Sequence, residues 1–207
     1  MNLTFKPHNY HTVMTSRYPG VENWPSLIAF SGAAGAGKST AAGILQDLAS
    51  YSRVRFADPI KVMLRDFGLT FEQVDGSLKE TPCDLLCGKS PRRAMQTLGD
   101  EWGRQLIGGD VWVRAWERRI EEVVALRDCG IVVDDLRYPN ELDAILARGG
   151  VVIRVVRAEA GEIEAHASES HILFSQRILI NDGTHEELGD KLIRILDGLS
   201  DQKKMTA

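Results

Sequence analysis

Apolar residues in this chain come in short continuous runs rather than in alternation. LIAFS (27–31), VRFA (54–57), IVVDD (131–135), VVIRVV (151–156) and ILIN (178–181) each read as a strand buried on both faces. Helical signals fill the gaps between them. The Ala-rich segment 39–49 follows the first run. Asp58-Pro59 suits an N-cap and first helical position, with Gly68 as the stop. Thr70 and Gln73 have the spacing of a capping box. Ser90-Pro91 opens a helix through about Leu106, and Gly108-Gly109 breaks it. Asp110 starts a long amphipathic helix to about Arg127. Pro139 starts another, ended by Gly149-Gly150, and Thr184 with Glu187 forms the capping box of a last helix to about Leu196. Strands alternating with helices predict a parallel α/β sheet covered on both faces. Residues 76–90 read as a loop and 158–175 as a loop or small helical flap. Residues 1–25 read as an extension before a single domain at 26–198, and 199–207 as a frayed tail.

Length and charge narrow the class. A chain of 207 residues suits one large domain or two small ones, and is long enough for a substantial core. No apolar run approaches the ~20 residues of a membrane span, and the first residues lack the apolar stretch of a signal peptide. Cys83, Cys87 and Cys129 have no matching partners for a zinc site and read as reduced thiols. The formal charge of −4 argues against a nucleic-acid coat protein, so no stable nucleic-acid binding is expected. The basic residues are unevenly split, 17 Arg against 8 Lys. Arg is favoured where phosphate is gripped bidentately.

The strongest chemical signal is Gly32-Ala33-Ala34-Gly35-Ala36-Gly37-Lys38-Ser39, a G-x-x-x-x-G-K-[ST] loop between a strand and a helix. The glycines let backbone N–H groups turn inward onto phosphate oxygens, at a helix N-terminus that carries partial positive charge. Lys38 is placed to reach the β- and γ-phosphates, and Ser39 to ligate Mg²⁺. An Asn-Lys-x-Asp guanine-reading motif and an LSGGQ-like signature are both absent.

A second anion site is marked by Arg92 and Arg93, two cations in the first turn of a helix, where the dipole favours acids. Arg104 ends the same segment. Asp58 follows the second strand and reads as an N-cap, or as a contact to a substrate hydroxyl or metal-bound water. Asp134 and Asp135 end the third strand, where a phosphate-loop enzyme positions Mg²⁺; Asp135 is the stronger candidate. Arg137 follows, placed to neutralise developing charge. Arg154 and Arg157 flank the exit of the fourth strand. His166 and Glu169 lie in the flap. Asn181-Asp182-Gly183 offers a backbone wall for an adenine ring, or a simple turn and cap.

Together these segments resemble the phage deoxynucleoside monophosphate kinases, a branch of the phosphate-loop kinases. The matching blocks are FSGAAGAGKST, FADPIK, PRRAMQTLGDEWGR, DVWV, VVDDLRYPNELDAI, GGVVIRVVR, HASE and INDGT. They run in family order across about residues 26–196. The resemblance implies a three-layer α/β/α fold with a five-stranded parallel sheet in the order 2-3-1-4-5. It also implies a helical monophosphate-binding region at about 58–127 and a lid at about 158–175. The implied activity is transfer of the ATP γ-phosphoryl group to a deoxynucleoside monophosphate. ATP would be held by Gly32, Ala33, Gly35, Ala36, Gly37, Lys38, Ser39 and Thr40, with Asn181 and Gly183. Mg²⁺ would be held by Ser39 and Asp135. The monophosphate would meet Asp58, Arg92, Arg93, Gln96, Arg104, Arg137, His166 and Glu169. Of these, Lys38, Arg137, Asp135, Arg92 and Asp58 are the candidate catalytic residues.

A homodimer is left open, and the expected location is cytoplasmic, the host cytoplasm for a phage-encoded chain. Asp100 stands where the family often has a hydroxyl residue, and the N-terminal extension departs from the family pattern. The alternatives are another phosphate-loop small-molecule or modified-base DNA kinase, such as one like dephospho-coenzyme A kinase, and a non-catalytic nucleotide-binding module. The intact Lys38–Ser39 pair and the second arginine site weigh against the last.

Overall fold

The computed structural model of the chain describes residues 20–157 and 177–205. The expected lid, with His166 and Glu169, lies outside the described residues, as does most of the N-terminal extension. The strands are β1 (Leu27–Ser31), β2 (Tyr51–Arg53), β3 (Gly130–Val133), β4 (Val151–Val156) and β5 (Arg177–Ile180). The helices are α1 (Lys38–Leu48), α2 (Asp58–Asp66), α3 (Phe71–Val74), α4 (Pro91–Thr97), α5 (Val111–Leu126), α6 (Pro139–Ala147) and α7 (His185–Met205). No described helix is long and apolar enough to cross a membrane.

The described residues form two compact units. One joins the residues up to Arg55 with those from Ile120 onward; the other is Phe56–Arg119. All five strands belong to the first unit and form one parallel sheet in the order β2-β3-β1-β4-β5, as expected. β1 and β3 are buried at every position, which requires cover on both faces and explains their unbroken apolar sequence. Ala29 pairs with Val133, so the loops leaving β1 and β3 start side by side. Ligands of open α/β sheets bind at such a point, where neighbouring strands send their connections in opposite directions.

One core joins the sheet to α1 and α7. It includes Ile28, Phe30, Val132, Ile153 and Leu179 from the strands and Ile44 and Leu45 from α1. Leu188, Leu192 and Leu196 come from α7. Those three leucines recur every fourth residue and so line one helix face. Each fully buried leucine contributes about 2 kcal/mol of transfer free energy.

Three boundaries differ from the sequence reading. α7 continues to Met205 instead of ending near Leu196. Two tertiary bonds hold the extra turns: Trp24 Nε1 donates to Asp197 Oδ1 at 2.9 Å, and Ser200 Oγ donates to the Asn23 carbonyl at 2.9 Å. The second strand occupies Tyr51–Arg53, earlier than the apolar run VRFA. Tyr51 pairs with Gly130, where an added Cβ would lie 2.5 Å from the Tyr51 ring, and its hydroxyl donates to the Pro25 carbonyl at 2.5 Å. That anchor sets the register, and Val54 and Phe56 are buried beyond the strand. Burial also pushes the Tyr51 phenol well above its ordinary pKa. Finally, Ala57 is the N-cap of α2, so Asp58 is its first helical residue and makes the first turn acidic.

The second unit is helical. Its core is Ile60, Leu64, Leu69, Val74 and Trp112. Both halves of the Thr70–Gln73 capping box form, and Ser90 caps α4 by accepting from the Arg93 backbone N–H at 3.3 Å. The expected loop at 76–90 contains two short 3-10 turns, Ser77–Glu80 and Asp84–Leu86. α4 passes directly into a π-helical segment, Leu98–Ile107. Trp112 accounts for part of that wider winding. Its Nε1 takes the Gly99 carbonyl at 2.7 Å, and its indole occupies the space a Cβ on Gly103 would need.

Candidate functional site

The loop between β1 and α1 has the conformation its glycines predict. Gly32, Gly35 and Gly37 all have positive φ. A Cβ on Gly32 would strike the Val155 carbonyl oxygen, and one on Gly37 would strike the Asn181 amide. These two positions therefore exclude side chains for space as well as for backbone conformation. The Asn181 amide also donates to the Ala36 carbonyl at 2.8 Å. The turn after β5 thus braces the loop, a contact more specific than the adenine wall expected of Asn181. Gly183 packs against the Glu187 carboxylate, within the Thr184–Glu187 capping box.

α1 begins with no side-chain cap and no acid in its first turn. Its first N–H groups and positive dipole end are therefore available to an external anion. Lys38 folds back over the loop, and its Nζ donates to the carbonyls of Gly32 at 2.5 Å and Ala33 at 2.7 Å. Ser39 and Thr40 are exposed at the same helix end. This donor set fits a polyphosphate: backbone N–H groups and one ammonium, with no acid in the first turn of α1.

Ser39 meets the carboxylate of Asp134. Ser39 Oγ donates to Asp134 Oδ2 at 2.7 Å. Arg53, at the end of β2, donates through Nε to Asp134 Oδ1 at 2.9 Å and through Nη2 to Oδ2. Burial favours the neutral acid at Asp134, but the hydrogen bonds from Arg53 and Ser39 and the charges of Arg53 and Arg55 outweigh it. The carboxyl is held below its ordinary pKa. A hydroxyl next to an ionised carboxylate is a set of hard oxygen donors, which fits Mg²⁺. Asp135 is half-buried one residue further on.

Arg137 is exposed on the same loop. Its position is set by Glu141, which is buried and accepts from the backbone N–H groups of Arg137 at 2.9 Å and Tyr138 at 3.1 Å. Arg154 is exposed on β4. Neither Arg53 nor Glu141 stood out in the sequence. The signal for Glu141 was its place two residues after Pro139, a helix first-turn position. Arg53 had no comparable signal.

The remaining candidates belong to the second unit. Arg92 Nε donates to Glu80 Oε1 at 2.7 Å, and Arg93 Nη2 donates to Glu101 Oε1 at 3.2 Å; all four side chains are exposed. Arg104 reaches the Gly109 carbonyl at 3.4 Å. Asp58 is half-buried at the start of α2, and Gln96 is exposed on α4. Asp100 is exposed and accepts from Gln105 Nε2 at 3.1 Å. Lys61 forms a largely buried ion pair with Asp75 at 2.6 Å. Among the described residues, no cluster of three or more His, Cys, Asp or Glu side chains could hold a metal.

The family model described as deoxynucleotide monophosphate kinase matches residues 87–192. A protein of Acanthamoeba polyphaga mimivirus, named "putative deoxynucleotide monophosphate kinase", is 30% identical over 190 residues, covering 84% of this chain and 97% of that one. The deoxynucleotide monophosphate kinase of Escherichia phage RB69 is 31% identical over 109 residues, covering 52% of this chain and 45% of its own. Among solved structures, dephospho-CoA kinase from Campylobacter jejuni aligns over 86% of this chain and 98% of its own, with 11% identity and a TM-score of 0.44. The family match runs from the end of the 3-10 turns through β3 and β5 into α7, and the mimivirus relative extends it over most of the chain. This chain belongs to the deoxynucleotide monophosphate kinase family.

Proposed function

We propose that this chain transfers the γ-phosphoryl group of ATP to a deoxynucleoside 5′-monophosphate, giving a deoxynucleoside diphosphate and ADP. The observation that carries the reading is the loop at 32–39. It offers inward-facing glycines, an uncapped helix N-terminus and Lys38, with Ser39 bonded to a buried, ionised Asp134.

The acceptor is already an anionic phosphate, so the protein need not supply a general base. Its task is positioning, charge neutralisation and exclusion of water. The backbone N–H groups of Gly35, Gly37 and Lys38 hold phosphate oxygens. Lys38 exchanges its two carbonyl partners for the phosphates as ATP enters. Mg²⁺, if bound here, would supply further positive charge against the phosphates. Ser39 would hold it, with Asp134 behind the hydroxyl and Asp135 as a second carboxylate at the same strand end. Arg137, on its Glu141-braced turn, neutralises charge that develops during transfer.

The monophosphate falls to Arg92, Arg93 and Arg104, with Asp58 and Gln96 toward the sugar and base. Phosphate binding by Arg92 and Arg93 exchanges their exposed bonds to Glu80 and Glu101 for stronger charge-assisted ones. His166 and Glu169 keep the lid role the resemblance implies.

The test is ADP formation from ATP and Mg²⁺ with separate deoxynucleoside monophosphates, ribonucleoside monophosphates, dephospho-coenzyme A and DNA. Stimulation by one or more deoxynucleoside monophosphates is the expected result. If no acceptor stimulates ADP formation, the reading fails. Stimulation only by dephospho-coenzyme A or DNA assigns a different kinase.

A further inference from the structure

Arg53 closes the edge strand β2, and no motif contains it. Its guanidinium engages both oxygens of Asp134, Nε on Oδ1 at 2.9 Å and Nη2 on Oδ2. The Asp134 side chain is 3% exposed and that of Arg53 26%. Ser39 donates to the same Oδ2 from the phosphate loop.

The geometry has two consequences. A two-point clamp fixes the plane of the carboxylate, because rotation about its last bond would break at least one contact. The Ser39 hydroxyl has one proton and two acceptor lone pairs. While the proton is committed to Asp134, the lone pairs face away from that carboxylate and remain open to a cation. An unclamped carboxylate could turn Oδ2 aside, and the Ser39 proton would then be free to rotate into the position a cation needs.

We propose that Arg53 is a positioning residue for the magnesium–nucleotide site, acting through Asp134 to orient the Ser39 hydroxyl. The proposal rests on the phosphate-loop reading above and assigns one new residue to it. Charge alone is not the function. Arg55 also places a positive charge near Asp134, but the fork that fixes the carboxylate plane comes from Arg53. A purely structural ion pair would stabilise the fold and leave cation binding untouched.

The test uses the full chain and a non-hydrolysable ATP analogue, with affinity measured by calorimetry in the presence and absence of Mg²⁺. The readout is the ratio of the two affinities, which reports the metal's contribution without turnover. In Arg53→Met that ratio falls by about tenfold, while magnesium-free binding keeps its wild-type value. Arg53→Lys keeps the charge but not the fork, and its ratio stays below wild type. It also provides the measurement if Arg53→Met does not fold, as judged by a cooperative melt. In a Ser39→Ala background, adding Arg53→Met leaves the ratio unchanged, because the path from Arg53 to the cation is already cut. A folded Arg53→Met with the wild-type ratio overturns the proposal, and so does full recovery in Arg53→Lys. If the wild-type chain shows no magnesium-dependent binding, the phosphate-loop reading itself fails and takes this inference with it.

Discussion

Arginine meets carboxylate in both units of this protein, with different physical meaning. In the first unit, Arg53 clamps a carboxylate buried at the end of β3, and Ser39 donates to it from the phosphate loop. In the second, Arg92–Glu80 and Arg93–Glu101 lie in solvent with all four side chains exposed. A buried carboxylate that lost its partners would face a desolvation cost of several kcal/mol, so its geometry is held tightly. An exposed pair is screened and contributes between nothing and about 1 kcal/mol, so it exchanges partners readily. The first arrangement suits a site that must be formed before its ligand arrives. The second suits arginines that must release a carboxylate to take a phosphate.

The largest expected effect lies on the ordered side. Lys38→Met removes the loop's only side-chain cation and lowers kcat by about 10³-fold, while the thermal melt stays near wild type. Full activity in that variant would remove the phosphate-loop mechanism.

Asp134→Ala comes next. It strands Arg53 and frees Ser39, at an expected cost of about 2 kcal/mol in urea unfolding, below the range for fully buried pairs because Arg53 is partly exposed. A cost as small as that of the surface pairs would erase the contrast between the units.

The pH dependence sharpens the same contrast. The folded pKa of Asp134 is lowered, so its stabilisation is present above the unfolded carboxylate value of about 4 and is lost as pH falls through the folded value. The stability gap between wild type and Asp134→Asn should therefore shrink below about pH 4 and stay constant from pH 6 to 8. A constant gap down to pH 2 would show that ionisation of Asp134 contributes nothing.

The smallest effect belongs to Glu80→Gln, which should change stability by less than about 0.5 kcal/mol. It should also lower the KM for the monophosphate slightly, because Arg92 loses a competitor. A large stability loss would mean that this pair is structural after all.

The phosphate loop was legible in the sequence because its chemistry is local. Three glycines, a lysine and a serine at fixed spacing require only a strand before them and a helix after. The capping boxes at Thr70–Gln73 and Thr184–Glu187 were legible for the same reason, since each is complete within four residues. The boundaries that moved depend on distant partners. α7 runs past Leu196 because Trp24 and Ser200 bond across more than 170 positions of chain. β2 starts at Tyr51 because that ring lies over Gly130.

The sequence by itself therefore determined the order of elements, the parallel sheet and the glycine-rich loop after β1, all of which follow from hydrophobic pattern and short-range turn chemistry. Only the tertiary structure showed which side chains meet Asp134. Its partners Ser39 and Arg53 come from a loop and a strand distant from it in sequence. Strand pairing brings those segments together, and no property of a single segment carries that information.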